Sequence, residues 1–188
     1  MCGRLNIIDD PIAQFINDVL GIEFNLETNP DLRPSEDIAA IICPGGQFQQ
    51  LNATWGIQPE WSNRLLINAQ AETVNTKPTF KAAFGHSRCL VPCSGWYEWK
   101  AENGKKEKYA FTHANKQPFL MAGILYDLAA PKLVTLTTSP NEKCGEIHQR
   151  MPVLIQPAHI DYWFNAQPDE LSPLMDAIND DHISIKLA

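Results

Sequence analysis

The sequence lacks any long hydrophobic run. Its longest apolar stretches, residues 38–43 and 119–125, are far shorter than the roughly 20 residues of a membrane-spanning helix. The first residues, MCGRLN, do not show the basic segment and apolar run that together mark a secretory signal. These absences predict a cytoplasmic protein without a membrane segment.

Positive charge and cysteine are also scarce. Lys and Arg number 15 against 22 Asp and Glu, a net charge of -7, so the totals exclude a general electrostatic attraction to nucleic acid and leave only local contacts. The cysteines number 5, and an odd count without an export signal argues against a disulfide framework. No second Cys or His pair lies at a zinc-ligand spacing from Cys89 and Cys93, so we expect buried thiols there and no metal site.

The overall composition is typical of one folded domain. A chain of 188 residues with 44% hydrophobic and 20% charged side chains can bury about 70% of its unfolded surface. There is no internal repeat and no low-complexity linker. The sequence therefore predicts a single domain spanning residues 1–188, and we expect a monomer.

The clearest local pattern is a helix near the start of the chain. Asp9 is a typical capping residue, Pro11 suits a first helical turn, and Gly21 is a typical helix terminator. Apolar residues between them recur at helical spacing, so the segment between Asp9 and the terminating Gly21 is predicted to be a helix.

Most of the remaining apolar runs predict strands. They occupy residues 38–43, 48–55, 89–92, 96–100, 108–113, 119–125, 133–138, 153–155 and 183–187, whereas 158–164 and 170–178 favour helices. Asn103-Gly104 indicates a tight hairpin turn. Hairpin-length links predict an α+β fold, with a mainly antiparallel sheet or partly closed β-barrel and peripheral helices.

The reactivity predicted for Cys2 depends on the loss of Met1. Gly3 leaves the preceding bond sterically open, and removal of Met1 would place an α-amine of pKa about 7.7 to 8.0 beside a thiol of pKa about 8.5. Such an aminothiol condenses with an aldehyde to an imine, which the thiol closes to a thiazolidine. Cys2 is therefore a candidate for covalent aldehyde capture.

Five motifs, in this order, give the chain a family resemblance. They are MCGR at 1–4, WGIQPEW at 55–61, NAQAET at 68–73, PCSGWYEW at 92–99 and IHQRMP at 147–152. From residue 2 to about residue 165, the chain resembles the SOS response-associated peptidase family, the abasic-site processing proteins. The resemblance implies a sensor that crosslinks to the sugar aldehyde of an abasic site in single-stranded DNA. It also implies autocatalytic removal of the methionine, slow release of the crosslink, and a nucleoid location when bound to DNA.

The resemblance assigns roles to four residues. Cys2 matches the nucleophile, and Asn68 matches the asparagine that orients the terminus and the sugar. Glu98 and His148 match an acid-base pair, which suits a reaction that must move protons. Because aldehyde capture by an aminothiol needs only proton transfer, no cofactor and no metal are implied.

A small set of side chains is expected to contact DNA. Arg4 and Arg150 are candidate phosphate contacts, and Trp61 is a candidate stacking or wedge residue. Trp55 could fill that last role, but it ends an apolar run and is expected in the core. Further candidates are Arg33, Lys77 and Gln70.

The chain departs from the family pattern at two points. Gln70 stands where many members have an arginine that contacts the DNA backbone, and Asp31-Leu32-Arg33-Pro34 replaces an Asn-x-x-Pro element. The first change removes a charge from the expected groove, and the second can move one to Arg33. These changes bear on DNA affinity and its salt dependence more than on the cysteine chemistry.

Two other classes of function are open at this stage. An N-terminal nucleophile amidohydrolase of the glutamine amidotransferase type would also use a freed Cys2, with the α-amine as its base. A non-enzymatic module that binds single-stranded DNA or protein would need no reactive cysteine. The amidohydrolase alternative offers no reason for the motifs around Glu98 and His148, and in the binding-module alternative the aromatic cluster is structural.

Overall fold

Two β-sheets contain most of the regular secondary structure. The structure is a computed structural model that describes residues 2–102 and 104–188; Met1 and Asn103 lie outside the described residues. Within those ranges there are twelve strands: β1 (Leu5–Ile7), β2 (Asn29–Leu32), β3 (Asp37–Ile42), β4 (Gln49–Trp55), β5 (Asn68–Gln70), β6 (Arg88–Cys93), β7 (Gly95–Glu102), β8 (Lys105–His113), β9 (Phe119–Tyr126), β10 (Lys132–Thr138), β11 (Met151–Pro152) and β12 (Ile183–Leu187).

The helices are short and lie between the strands. In the described ranges they are α1 (Asp9–Leu20), α2 (Ala71–Val74), α3 (Pro78–His86), α4 (Glu142–Gly145) and α5 (Ile160–Asn165). None of these helices is both long and apolar enough to cross a membrane.

The strand pairing gives an open sheet beside a closed barrel. The open sheet has the order β12-β8-β7-β1-β2. In the second sheet the order β10-β4-β3-β6-β9 is closed by pairing of β9 with β10, while β5 and β11 also join β10. This arrangement confirms the predicted α+β class and shows that the barrel is closed. Two pairings, β4 with β10 and β5 with β10, are parallel.

The first helix confirms its pattern but not its predicted cap. Gly21 takes the left-handed conformation that glycine tolerates, with φ 68°, and its N–H donates to the Asn17 carbonyl. Asp9, predicted as the cap, is instead the first helical residue. The hydroxyl of Thr28 accepts from the Asp9 N–H at 3.0 Å and donates to the Asp9 carboxylate at 2.7 Å. A hydroxyl from the segment just before β2 therefore takes the place of a local cap.

The β7–β8 hairpin, which carries Glu98, confirms the turn prediction. The strands pair from Gly95 opposite Thr112 to Glu102 opposite Lys105. Gly104 has the positive φ of 76° that such a turn requires, whereas Asn103 lies outside the described residues. At the other end, a Cβ on Gly95 would lie 2.2 Å from the Phe111 carbonyl oxygen, so only glycine permits this approach.

Two predicted elements near the C-terminal end of the chain differ from the structure. The helix predicted at 170–178 is wrong, since the segment holds only a three-residue 3-10 turn, Ser172–Leu174. Pro173 lacks the N–H that a longer helix needs. The strand predicted at 153–155 is also wrong: β11 covers only Met151–Pro152, just ahead of that segment, and Leu154 forms only an isolated bridge to Met121.

Candidate functional site

Four side chains predicted to carry the chemistry come from four separate elements. Cys2 lies three residues before β1, Asn68 opens β5, Glu98 lies in the middle of β7, and His148 follows α4. The strands β1 and β7 belong to the open sheet, whereas β5 pairs with the barrel strand β10. The four side chains therefore come from both sheets and the segments next to them.

Asn68 holds the backbone of Cys2. Its Nδ2 donates to the Cys2 carbonyl oxygen at 2.9 Å, and its Oδ1 accepts from the Thr135 hydroxyl at 2.6 Å. The second bond fixes which end of the amide faces Cys2. Thr135 is fully buried and lies opposite Asn68 in the β5–β10 register. Sequence reasoning missed Thr135, which is distant in the chain and carries no motif.

The side chains of Glu98 and His148 lie close together. Glu98 Oε2 lies 3.8 Å from His148 Nε2. The carboxyl group is buried, with only 3% of the residue exposed. Burial raises the pKa of Glu98, and the positive charge that His148 can carry opposes that rise. A carboxyl group in this state can exchange a proton under mild conditions.

The imidazole of His148 has a backbone partner in either protonation state. Its Nδ1 lies 3.1 Å from both the N–H and the carbonyl oxygen of Arg150. The N–H can donate to a neutral Nδ1, and the carbonyl can accept from a protonated one. The backbone N–H of His148 donates to the Cys144 carbonyl oxygen. The ring can therefore gain or lose a proton while keeping its position.

The thiol of Cys2 is buried and protonated at neutral pH. Burial raises its pKa well above the usual range, and the negative charge of Glu98 adds to the effect. Burial likewise raises the pKa of nearby Cys93 to about 12. All five cysteines are free thiols, and Cys89 and Cys93 are buried, as the sequence predicts. The Cys2 thiol consequently needs a base before it can act as a nucleophile.

Arg150 lies beside this site but is already in an ion pair. Its guanidinium contacts Glu72 through two hydrogen bonds of 2.7 and 2.8 Å and also donates to the Thr137 carbonyl. The Arg150 side chain lowers the pKa of the Glu72 carboxyl group. Glu72 belongs to the NAQAET motif, but its contact with Arg150 was not predicted from the sequence.

Arg4 and Arg33 meet at a carboxylate that was not predicted to be functional. Both guanidiniums donate to Asp31, Arg4 at 2.7 Å and Arg33 at 2.9 Å. Lys108 reaches the same carboxylate at 3.4 Å. The structure thus brings the two arginines into one cluster.

The remaining DNA candidates are exposed. Trp61 is 69% exposed, whereas Trp55 is fully buried, which confirms the expected contrast between them. Gln70 is exposed at the end of β5, two residues after Asn68. Lys77 is exposed ahead of α3, and within the described ranges no ion pair links it to the other candidates.

The fold and site define a protein with a thiol, an amide, a carboxyl group and an imidazole gathered near its N-terminal strand. A sequence model of the family described as SOS response associated peptidase (SRAP) matches residues 1–186. The chain belongs to this family.

Relatives and solved structures agree with this assignment. Abasic site processing protein YoaM of Bacillus subtilis (strain 168) is 31% identical over 193 residues, which cover 93% of this chain and 85% of YoaM. Abasic site processing protein YedK of Escherichia coli (strain K12) is 32% identical over 120 residues, covering 60% of this chain and 54% of YedK. A crystal structure of a protein from Bordetella bronchiseptica has a TM-score of 0.84 at 19% identity, covering 100% of this chain and 99% of that chain. That last likeness concerns the fold.

Proposed function

We propose that the protein senses abasic sites in single-stranded DNA and captures them covalently on Cys2 once Met1 has been removed. The observation that carries the proposal is the hold of Asn68 on the Cys2 backbone beside a buried glutamate–histidine pair. The relatives named as abasic site processing proteins support the same substrate.

The chemistry of capture balances with the loss of one water molecule. The Cys2 amine attacks the aldehyde carbon of the ring-opened sugar to give a carbinolamine, which loses water and becomes an imine. The sulfur then bonds to the same carbon, and the thiol proton passes to the nitrogen. The product is a thiazolidine that joins the protein to an uncleaved DNA strand.

The site residues divide the work of this reaction. Asn68 orients the Cys2 backbone through its amide, which Thr135 holds in turn. Glu98 accepts the thiol proton and returns it, since its raised pKa suits both steps. His148 is the second proton-transfer group of the proposal, and its Nε2 lies 3.8 Å from Glu98 Oε2. The same groups would serve the removal of Met1 and the slow release of the crosslink.

DNA contact rests on local features of an acidic protein. Arg150 and Arg4 are the phosphate contacts in this proposal, with Trp61 as a stacking or wedge surface. The exposed ring of Trp61 supports that role. Both arginines are in ion pairs with carboxylates, so binding of DNA requires those pairs to rearrange.

The intact mass of the protein after incubation with single-stranded DNA tests the proposal directly. One oligonucleotide carries a single abasic site, and its undamaged counterpart is the control. With the damaged strand, we expect a species whose mass equals that of the protein without methionine plus the oligonucleotide, less one water. The undamaged strand should give no such species. Loss of methionine without an adduct would favour the amidohydrolase alternative, and glutamine hydrolysis would then be assayed. Retention of Met1 would leave only a binding role.

His148→Ala should slow both formation and release of the adduct and leave the fold intact. The imidazole is partly exposed, so water can replace part of its function and the loss should be smaller than for Glu98. Quenched time courses with the abasic strand measure both rates. His159→Ala, which removes an exposed histidine before α5, is the matched control. Wild-type rates in both directions would remove His148 from the mechanism.

Gln70→Arg should steepen the salt dependence of binding to single-stranded DNA. Gln70 is exposed two residues beyond Asn68, so an arginine there would add one phosphate contact. The slope of log K against log salt should change by about 0.7, the value for one charge on a single strand. Fluorescence anisotropy at several salt concentrations gives this slope. Gln47→Arg adds the same charge at an exposed turn and should leave it unchanged; equal slopes for the two variants would place residue 70 away from the strand.

A further inference from the structure

Three cations share the single carboxylate of Asp31. Arg4 Nη1 donates to both of its oxygens, at 2.8 and 2.7 Å, and Arg33 donates to Oδ2 through both Nε and Nη2. Lys108 Nζ donates to Oδ1 at 3.4 Å. The donors lower the pKa of Asp31, with Arg33 contributing most, so it is ionised at neutral pH. The cluster therefore carries two more positive than negative charges, in a protein whose net charge is -7.

Two of the three cations, Arg4 and Lys108, also contact aromatic rings. Lys108 Nζ lies 3.8 Å from the centre of the Tyr97 ring, and the Arg4 guanidinium carbon lies 5.5 Å from the centre of the Trp99 ring. Such contacts attract the cation and restrict an otherwise flexible side chain. Restriction before binding lowers the entropy that a ligand must overcome. The cluster is thus more ordered than a chance group of surface charges.

The cluster lies on the other face of β7 from Glu98 but is close to Cys2 along the chain. Tyr97 and Trp99 alternate with Glu98 along β7, so their side chains lie on the opposite face of the strand. Arg4 is two residues from Cys2, a span of at most about 7 Å between Cα atoms. A DNA strand whose sugar is held at Cys2 can therefore bring a phosphate to these cations.

We propose that Arg4, Arg33 and Lys108 form a binding site for a phosphodiester of the captured strand, and that Asp31 occupies it in the free protein as an internal counterion. This proposal rests on the proposed function. Both bonds of Arg4 to Asp31 use the same terminal nitrogen, Nη1, and a phosphate offers the other donors of the guanidinium a stronger bidentate partner. Asp31 weakens the binding of the phosphodiester, because the phosphate must either displace the carboxylate or share the three cations with it. The site also adds positive charge in a chain that has Gln70 in place of a family arginine.

The test compares the affinities of variants for undamaged single-stranded DNA over a range of salt concentrations. Asp31→Asn should bind about three- to fivefold more tightly, the size of effect expected from a partly exposed ion pair. It should also have a steeper salt slope. Lys108→Met keeps an unbranched stem to pack on Tyr97; it should bind more weakly and reduce the slope by about 0.7. Asp169→Asn, at an exposed loop position, changes the net charge as Asp31→Asn does and should match the wild type.

The outcomes separate this site from the proposed function. Equal affinities for Asp31→Asn and Asp169→Asn, or a wild-type slope for Lys108→Met, would overturn the phosphodiester site. If Asp31→Asn fails to fold, Lys108→Met decides the question alone. Adduct formation by the wild type with an abasic strand is measured in parallel. Its absence would contradict the proposed function, whereas a normal adduct with unchanged variant affinities would contradict only the role of Asp31.

Discussion

Cys2→Ala should abolish the stable adduct with an abasic strand and retain reversible binding to that strand. Alanine keeps an α-amine once Met1 is removed, so an imine with the aldehyde can still form. It has no sulfur to close the thiazolidine, and the imine hydrolyses. Intact mass should show no stable species, and borohydride reduction during incubation should trap one.

Borohydride trapping shows separately whether the amine reaches the aldehyde and whether the thiol is needed for a stable adduct. A full yield of stable adduct from Cys2→Ala would contradict the aminothiol mechanism. If the intact mass of Cys2→Ala shows that Met1 has been removed, the absence of a reduced adduct would show that the amine does not reach the aldehyde. Cys43→Ala is the control, because Cys43 is a partly exposed thiol outside the candidate site and its loss should not change the yield. Anisotropy with the undamaged strand checks that binding is retained.

The elements that the sequence predicted are those with local signals. The pattern from Asp9 to Gly21 fits one helix, and the paired strands around Gly104 follow from turn chemistry. The short strands β1, β2 and β5 were missed because three or four residues are too few to show a period. Barrel closure through β9 and β10, and the parallel pairing of β4 with β10, depend on contacts that no local pattern records.

The same distinction applies to the site. Motifs singled out Cys2, Asn68, Glu98 and His148, and the structure links them in two pairs. Their catalytic roles stay predictions. What the motifs could not give is the electrostatic setting. Opposite charges far apart in the chain meet only in the folded state, as in the contacts of Asp31 with Arg4 and of Glu72 with Arg150.

Glu98→Gln should slow adduct formation by about 100-fold or more, within the range for removal of a general acid or base. Glutamine keeps the shape of the side chain but cannot accept the proton of the buried Cys2 thiol. Quenched time courses with the abasic strand measure the rate. Glu102→Gln, an exposed position on the same strand, is the matched control and should react as the wild type does. A wild-type rate for Glu98→Gln would show that another group, or water, moves the proton.

The same Glu98→Gln substitution should stabilise the fold, and increasingly so as pH rises. Burial raises the folded-state pKa of Glu98, so the favourable protonated form is fully present below the usual glutamate pKa of about 4.3. Its contribution is lost as pH rises through the raised value. Glutamine does not ionise and loses nothing over this window. Thermal unfolding at about pH 4 and about pH 8 should therefore show a larger gain in Tm for Glu98→Gln at the higher pH. An equal gain at both pH values would mean that the carboxylate is well solvated in the fold, and the case for Glu98 as the proton acceptor would fall with it.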